Sequence, residues 1–258
     1  MALDFDGTDD RIDWANVFTT SGQALTISVW AWFDVLNPAA NQYLFNGSLA
    51  AGGGGTIFYQ GSGVNGNLAF TRIAASVHKD RITSANVITT GSWTHCLLTD
   101  DGSLTAANAK IYVAGSEVTY ATTTNGIAPE TAATGVWSLG GRASDNLRNF
   151  NGRLANVGVW NRVVTADEIA ILAAGYNPQF IMNGLRFCAP IFGRSTEINL
   201  LGAAASTTVG TAAISHPRTI MPSIPNFARD AVAVLADGNT VAMIPWYQWG
   251  VLLEEDGM

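Results

Sequence analysis

Chemistry in a protein chain requires side chains of the right type within reach of one another, and this sequence offers few candidates. It contains three histidines. His95 stands beside Trp93 in a strand-like run with no nucleophile pattern near it, so a packed or strand-pairing histidine is favoured over a general base. His78 and His216 lie in polar stretches at no ligand spacing from each other, which argues against zinc. Glycan hydrolysis needs two carboxylates facing the scissile bond. The acidic pairs here are chain neighbours at turns or at the end: Asp9 with Asp10, Asp100 with Asp101, Glu254 with Glu255. The expectation is a protein that is not an enzyme and carries no obligatory cofactor.

Binding is better provided for. An aromatic ring flanked by amide, carboxylate or guanidinium groups can hold a sugar, and Tyr59, Trp137, Arg142, Asp145 and Arg148 fall in or beside candidate loops. The competing reading places Tyr59 and Trp137 in strands of the core. Calcium takes hard oxygen ligands, and Asp100, Asp101 and Asp145, with Asn108, are the candidates. They form no dense ligand string, so solvated turn acids are favoured. The glycines from Gly52 to Gly55 lack the Lys-Ser/Thr and following helix of a phosphate loop. Asn46, Gly47 and Ser48 match a glycosylation acceptor.

The composition narrows the partners. Net charge is -7, only Lys79 and Lys110 are lysines, and 13% of residues are charged against 48% hydrophobic. No basic patch is available to follow a phosphate backbone, so nucleic acid is not expected as a partner. The longest apolar region, Ala231 to Leu253, is broken by Asp237, Gly238, Asn239 and Pro245, so no membrane span or membrane partner is expected. The first six residues enter a strand pattern directly, which implies synthesis for the cytoplasm or prior removal of a leader. Cys96 and Cys188 sit in apolar stretches and read as buried free thiols.

The positioning elements are strands. β-type runs recur at Leu25 to Phe33, Gln42 to Phe45, Thr56 to Gln60, Asn67 to Ile73, Trp93 to Thr99, Lys110 to Val113, Val136 to Leu139 and Leu154 to Trp160, separated by glycine-rich turns. In the first run Leu25, Ile27, Val29, Ala31 and Phe33 share one face; Thr26, Ser28, Trp30 and Trp32 share the other. One helix is signalled from Thr165 to Gly175, opened by a Thr165/Glu168 capping box and closed by the glycine. These elements predict an all-β, two-sheet antiparallel sandwich with one short helix.

Several segments, in order, resemble the laminin-G-like, concanavalin A-like jelly-roll family. Leu3 to Ile12 is similar to its first strand and acidic turn, and Leu25 to Trp30 to the next core strand. Gly91 to His95 followed by Ile111 to Val118 resembles its central strand pair. Leu139 to Gly141, then Phe150 to Ile169, resembles its closing strand and short helix. The resemblance covers Ala2 to Tyr176 and implies a jelly-roll domain over residues 1–183. Where the family often carries an acidic pair this chain has Ala155 and Asn156, and where it often carries a basic residue it has Gly158, which argues against a charge-based role at that strand.

Residues 184–258 form a C-terminal extension by this reading. One further strand can lie near Gly184 to Gly193. Pro217, Pro222 and Pro225 then extend the backbone into an arm, followed by a hairpin turning at Asp237 and Gly238. Trp246, Tyr247 and Trp249 near the end are residue types that anchor interfaces, either on this sandwich or on a partner. Gly184 to Pro222 resembles the segment that follows laminin-G-like domains in tailed-phage and prophage proteins. The resemblance implies a structural or accessory virion protein, such as a capsid decoration or tail component, bound through the arm to other virion proteins or to copies of itself. The alternative it leaves open is an adhesion module recognising a surface polysaccharide.

Overall fold

The strict alternation between Leu25 and Phe33 sets the first layer. Its odd-numbered residues are fully buried, while Trp30 and Trp32 on the other face are only partly covered. A computed structural model describes residues 2–14, 22–48, 55–74, 77–129, 136–143, 145, 147–192, 196–201, 206–210 and 212–214. The arm, the Asp237-Gly238 hairpin and Trp246, Tyr247 and Trp249 lie outside the described residues.

Sixteen strands follow one another: β1 Ala2–Asp6, β2 Arg11–Trp14, β3 Leu25–Phe33, β4 Gln42–Ser48, β5 Gly55–Gln60, β6 Leu68–Ala74, β7 Val77–Thr83, β8 Trp93–Asp100, β9 Lys110–Val113, β10 Ser116–Glu117, β11 Tyr120–Thr124, β12 Trp137–Leu139, β13 Asn151–Trp160, β14 Leu185–Ala189, β15 Ser206–Val209 and β16 Ala212–Ile214. They make two sheets of eight among the described residues. Sheet A runs β10-β9-β8-β3-β13-β1-β16, and sheet B runs β11-β7-β6-β5-β4-β12-β2-β15. Every strand pairing is antiparallel, and the architecture is a jelly-roll sandwich.

The ten-residue β13 organises sheet A. One edge pairs with β3; along the other, β1 takes the first half and β14 the second. Its register shifts between Ala155 and Gly158, where Asn156 adopts φ +54° and accepts a 2.9 Å hydrogen bond from Asn177 Nδ2. β14, β15 and β16 pair with β13, β2 and β1, so strands of the sandwich continue past residue 183 to Ile214.

Facing side chains of the two sheets fill one core, with Phe5, Trp14, Phe33, Phe45, Phe58, Phe70, Trp137 and Phe150 among its largest members. A smaller core lies on the outer face of sheet A. There helix α1, Ala166–Ala173, packs Ile169 and Leu172 against Leu97, Trp160 and Cys188. Its capping box is complete: Glu168 N donates to Thr165 Oγ1 at 3.3 Å and Thr165 N to Glu168 Oε2 at 2.7 Å. Gly175, at φ +94°, ends it. Both cysteines are free and buried, and burial raises both thiol pKa values, that of Cys188 to about 12. Among the described residues no helix is long and apolar enough to cross a membrane.

At one end of the core the sheets are joined by charge. Asp100 on β8, fully buried, receives Lys79 Nζ of β7 at 2.6 Å and lies 2.8 Å from Arg72 Nε of β6. Lys79 also donates to Ser103 O and Arg72 to Gln23 O. Removing one partner of a buried ion network leaves uncompensated charge, typically costing about 3–5 kcal/mol. Asp100→Ala is therefore expected to destabilise the protein by roughly that amount, read as a lowered denaturation midpoint; a midpoint equal to wild type would show the triad to be dispensable.

Candidate functional site

On β4, β5 and β6, Phe45, Phe58 and Phe70 point into the core, while Tyr43, Ile57, Tyr59 and Ile73 gather as a separate cluster on the outer face of sheet B. Tyr43 and Tyr59 are directly opposed across the strands, their rings 5.8 Å apart and tilted by 51°. Tyr59 Oη lies 3.3 Å from Thr71 Oγ1, which donates to Asp80 Oδ1 at 2.7 Å. Because the one hydroxyl proton of Thr71 goes to Asp80, Tyr59 is the donor to Thr71. His78 Nδ1 stands 4.0 Å from the same carboxylate. Adjacent strands β4, β5, β6 and β7 thus carry one polar, aromatic band from Tyr43 to Asp80, in which Tyr43 and Thr71 are buried and Tyr59 and Asp80 are partly exposed.

The turn between β12 and β13 closes the other end of this band. Gly140, at φ +78°, lies where a Cβ would come within 2.3 Å of the Phe5 ring, so a side chain there would displace core packing. Arg142 N donates to Leu147 O at 3.0 Å, and Tyr43 N donates to Arg148 O at 2.9 Å, which pins the turn to β4. Arg142 Nε donates to Asp145 Oδ1 at 2.8 Å, with a second contact from Nη2 to Oδ2, and the guanidinium lies within electrostatic reach of the Tyr43 phenol. This pairing holds the Asp145 carboxyl below its usual range. Burial raises both tyrosine pKa values, against an opposing pull from Arg148 on each. The phenols therefore stay neutral donors.

Tyr59, Arg142, Asp145 and Arg148 are thus brought together around Tyr43, a residue the sequence reading did not single out. Trp137 is not among them. It is 1% exposed and packs edge-to-face on Phe45 at 5.0 Å, because β12 turns this position toward the core opposite Trp14. The strand reading of Trp137 replaces the sugar-platform one. Asn46 of the glycosylation match is buried in β4 at 2% exposure.

Of the calcium candidates, Asn108 meets Asp101, and each carboxylate is engaged by protein donors. Asp100 pairs with Lys79 and Arg72; Asp101 accepts from Ser103 N and Asn108 Nδ2; Asp145 is held by Arg142. Among the described residues, three other carboxylates come within 4.8 Å of one another: Asp6, Asp9 and Asp10 in the β1–β2 turn. Asp10 is almost fully buried and accepts from Asp6 N at 2.8 Å; burial, then repulsion by Asp6 and Asp9, raise its pKa against that hydrogen bond. The Asp9-Asp10 adjacency was visible in the sequence, but the return of Asp6 through Gly7 at φ +80° was not.

The outer face of sheet A holds a further aromatic group beside the part covered by α1. Trp32 meets Trp93 edge-to-face at 6.2 Å, and Arg153 stacks 4.7 Å from the Trp32 ring while pairing with Asp4 at 3.2 Å. Trp32 Nε1 donates to Asp34 at 3.0 Å. On the same face His95 Nε2 lies 2.9 Å from Ser28 Oγ. Both residues are 1% exposed, and His95 Nδ1 meets no partner among the described residues, so this pair has neither the access nor the orienting carboxylate of a catalytic dyad.

The architecture is that of concanavalin A-like sandwiches, and sequence comparison agrees. The family model of the concanavalin A-like lectin/glucanases superfamily matches residues 6–170, and the chain belongs to that superfamily. No curated protein matches the chain. Among solved structures, a candidate carbohydrate-binding protein from Bacteroides ovatus is 17% identical with a TM-score of 0.54; the match spans 82% of this chain and 58% of that one. A heptameric pentraxin from Limulus polyphemus is 15% identical (TM-score 0.48; 80% and 94% of the two chains). Domain 4 of an extracellular arabinanase from Geobacillus stearothermophilus, solved with arabinotriose, is 21% identical (TM-score 0.48; 67% and 76%).

Burial lowers the His95 pKa from 6.5 to about 3. The folded protein keeps this ring neutral while the unfolded chain binds a proton below pH 6.5, so its contribution is complete above pH 6.5 and is lost as pH falls toward 3. The slope within that window is about 1.4 kcal/mol per pH unit. His95→Gln is expected to flatten the dependence of stability on pH between 6 and 4 relative to wild type, measured by urea denaturation; parallel curves for the two proteins would exclude His95 as the source.

Proposed function

We propose that the chain is a non-catalytic glycan-binding module whose ligand lies across the outer face of sheet B. One observation carries this reading: Tyr59, Asp80, Arg142, Asp145 and Arg148 are at least partly exposed on one face, and the buried Tyr43 and Thr71 connect them across successive strands and to the turn. A pyranose presents C–H groups to an aromatic face and hydroxyls to its rim, which is the chemistry this band offers. The carboxylates of the band are each engaged, Asp80 with Thr71 and Asp145 with Arg142, which suits hydroxyl recognition more than proton transfer to a leaving group. The description of the Bacteroides ovatus protein is consistent with this class of ligand.

The setting we propose is a tailed-phage particle, to which Trp246, Tyr247 and Trp249 would anchor the chain. Its support is the resemblance of residues 184–222 to phage proteins. Purified particles should then contain the chain, and its copy number should fall when the three aromatics are replaced by alanine.

Affinity electrophoresis against soluble bacterial surface polysaccharides tests the binding site. Tyr59→Ala should weaken retention by about tenfold or more, equivalent to roughly 1.4 kcal/mol, with no reducing ends released by either protein. Unchanged retention in Tyr59→Ala, or hydrolysis by wild type that a single carboxylate substitution abolishes, would refute the reading.

A further inference from the structure

We infer that the glycan bound across sheet B is acidic, and that Arg148 receives its carboxylate. The inference rests on the glycan-binding reading above and adds the class of sugar. Most cations of the described residues are already matched: Arg11 with Asp13, Arg72 and Lys79 with Asp100, Lys110 with Glu117, Arg142 with Asp145, Arg153 with Asp4 and Arg162 with Glu168. Arg148 makes no ion pair among them, although Asp145 is three residues away and within reach of its field. Asp145 instead turns both oxygens to Arg142. Arg81, stacked on Tyr120, and Arg186, beside Asn161, also make no ion pair among the described residues, but Arg148 is the one in the turn that borders the band, where its partly exposed planar fork matches a carboxylate in bidentate fashion.

Its placement is enforced. Arg148 has φ +66°, a conformation that L side chains rarely adopt, and it is held there by Tyr43 N donating to its carbonyl and by the Arg142–Leu147 pairing across the turn. The same contacts put the Arg148 backbone against Tyr43, and the charge of its side chain reaches the phenols of Tyr43 and Tyr59. At the far end of the band the Asp80 carboxylate, which accepts from Thr71, repels a second anion. The band is therefore polar along its length: an acidic sugar belongs at the Arg148 end and a neutral one at the Asp80 end. This fits a polysaccharide in which uronic acids alternate with neutral residues better than an unbroken polyuronate.

The test uses full-length protein and three polysaccharides of mixed acidic and neutral repeat (gellan, xanthan and hyaluronan), each beside its carboxyl-reduced derivative, with dextran sulfate as a control for charge alone. The expected result is retention of at least one native polymer about tenfold or more above its reduced form, with no comparable retention of dextran sulfate. Arg148→Gly should erase that preference; glycine suits φ +66°, so the variant removes the charge without straining the turn. An unchanged denaturation midpoint for Arg148→Gly checks that the fold is intact. Equal retention of native and reduced polymers, or an unaltered preference in Arg148→Gly, overturns the carboxylate assignment while leaving glycan binding in place. Dextran sulfate retained as strongly as the native polymers also overturns it, as unspecific attraction. Retention of none of the polymers overturns the glycan reading with it.

Discussion

The Asp100 carboxylate, buried between Lys79 of β7 and Arg72 of β6, fixes the distance and register of the two sheets at one end of the sandwich. Packing alone is tolerant of small slips between apolar surfaces, whereas a buried charge has to meet its partner at hydrogen-bond distance or destabilise the fold. The consequence reaches the opposite face of sheet B through the alternation of the strand. Arg72 faces inward and its neighbour Thr71 outward; Lys79 faces inward and its neighbour Asp80 outward. Thus the residues that lock the sheets together are chain neighbours of those that line the band, and the Thr71–Asp80 hydrogen bond inherits its geometry from the triad behind it.

That triad also explains where the sequence was hard to read. β3, β5, β8 and β9 were legible almost to the residue because their core positions are apolar and alternate. β7 escaped notice because its inward positions include Lys79, and a lysine in a strand reads as solvent-facing until Asp100, 21 residues away, is known to meet it. β11, Tyr120–Thr124, has mostly exposed residues and no apolar face to mark it. The helix was legible because its stop and start signals are local: a capping box four residues wide and a glycine. Trp137 shows the limit of local signals, since an aromatic beside a glycine turn looks like a platform until its strand is paired with β2 and its ring meets Phe45.

Of the candidate site, the turn half was legible and the strand half was not. Arg142, Asp145 and Arg148 advertise themselves as charges in a glycine-flanked loop, in a chain with few charges. Tyr43, Thr71 and Asp80 are unremarkable in sequence and become a line only through the pairings β4–β5, β5–β6 and β6–β7, with the Tyr59 hydroxyl bridging a diagonal neighbour. The same holds for the carboxylates of the β1–β2 turn, where the positive φ of Gly7 brings Asp6 back to Asp10.

The two outer faces of the sandwich are finished differently, although each carries a cluster that is separate from the main core. On sheet A the cluster around Leu97, Trp160 and Cys188 is closed by α1, and Trp160 Nε1 has its partner in Ile181 O at 2.7 Å. On sheet B the cluster of Tyr43, Ile57 and Ile73 is buried with no helix among the described residues packed on it, Tyr59 beside it is partly exposed, and its polar groups are tied laterally to Thr71 and to the turn. A face finished by a helix has its hydrogen bonds turned inward and little left to offer a ligand. On sheet B the partly exposed Tyr59 and Asp80 are ordered by the buried Thr71 between them, so any ligand that replaced water there would meet groups whose orientation has been fixed in advance.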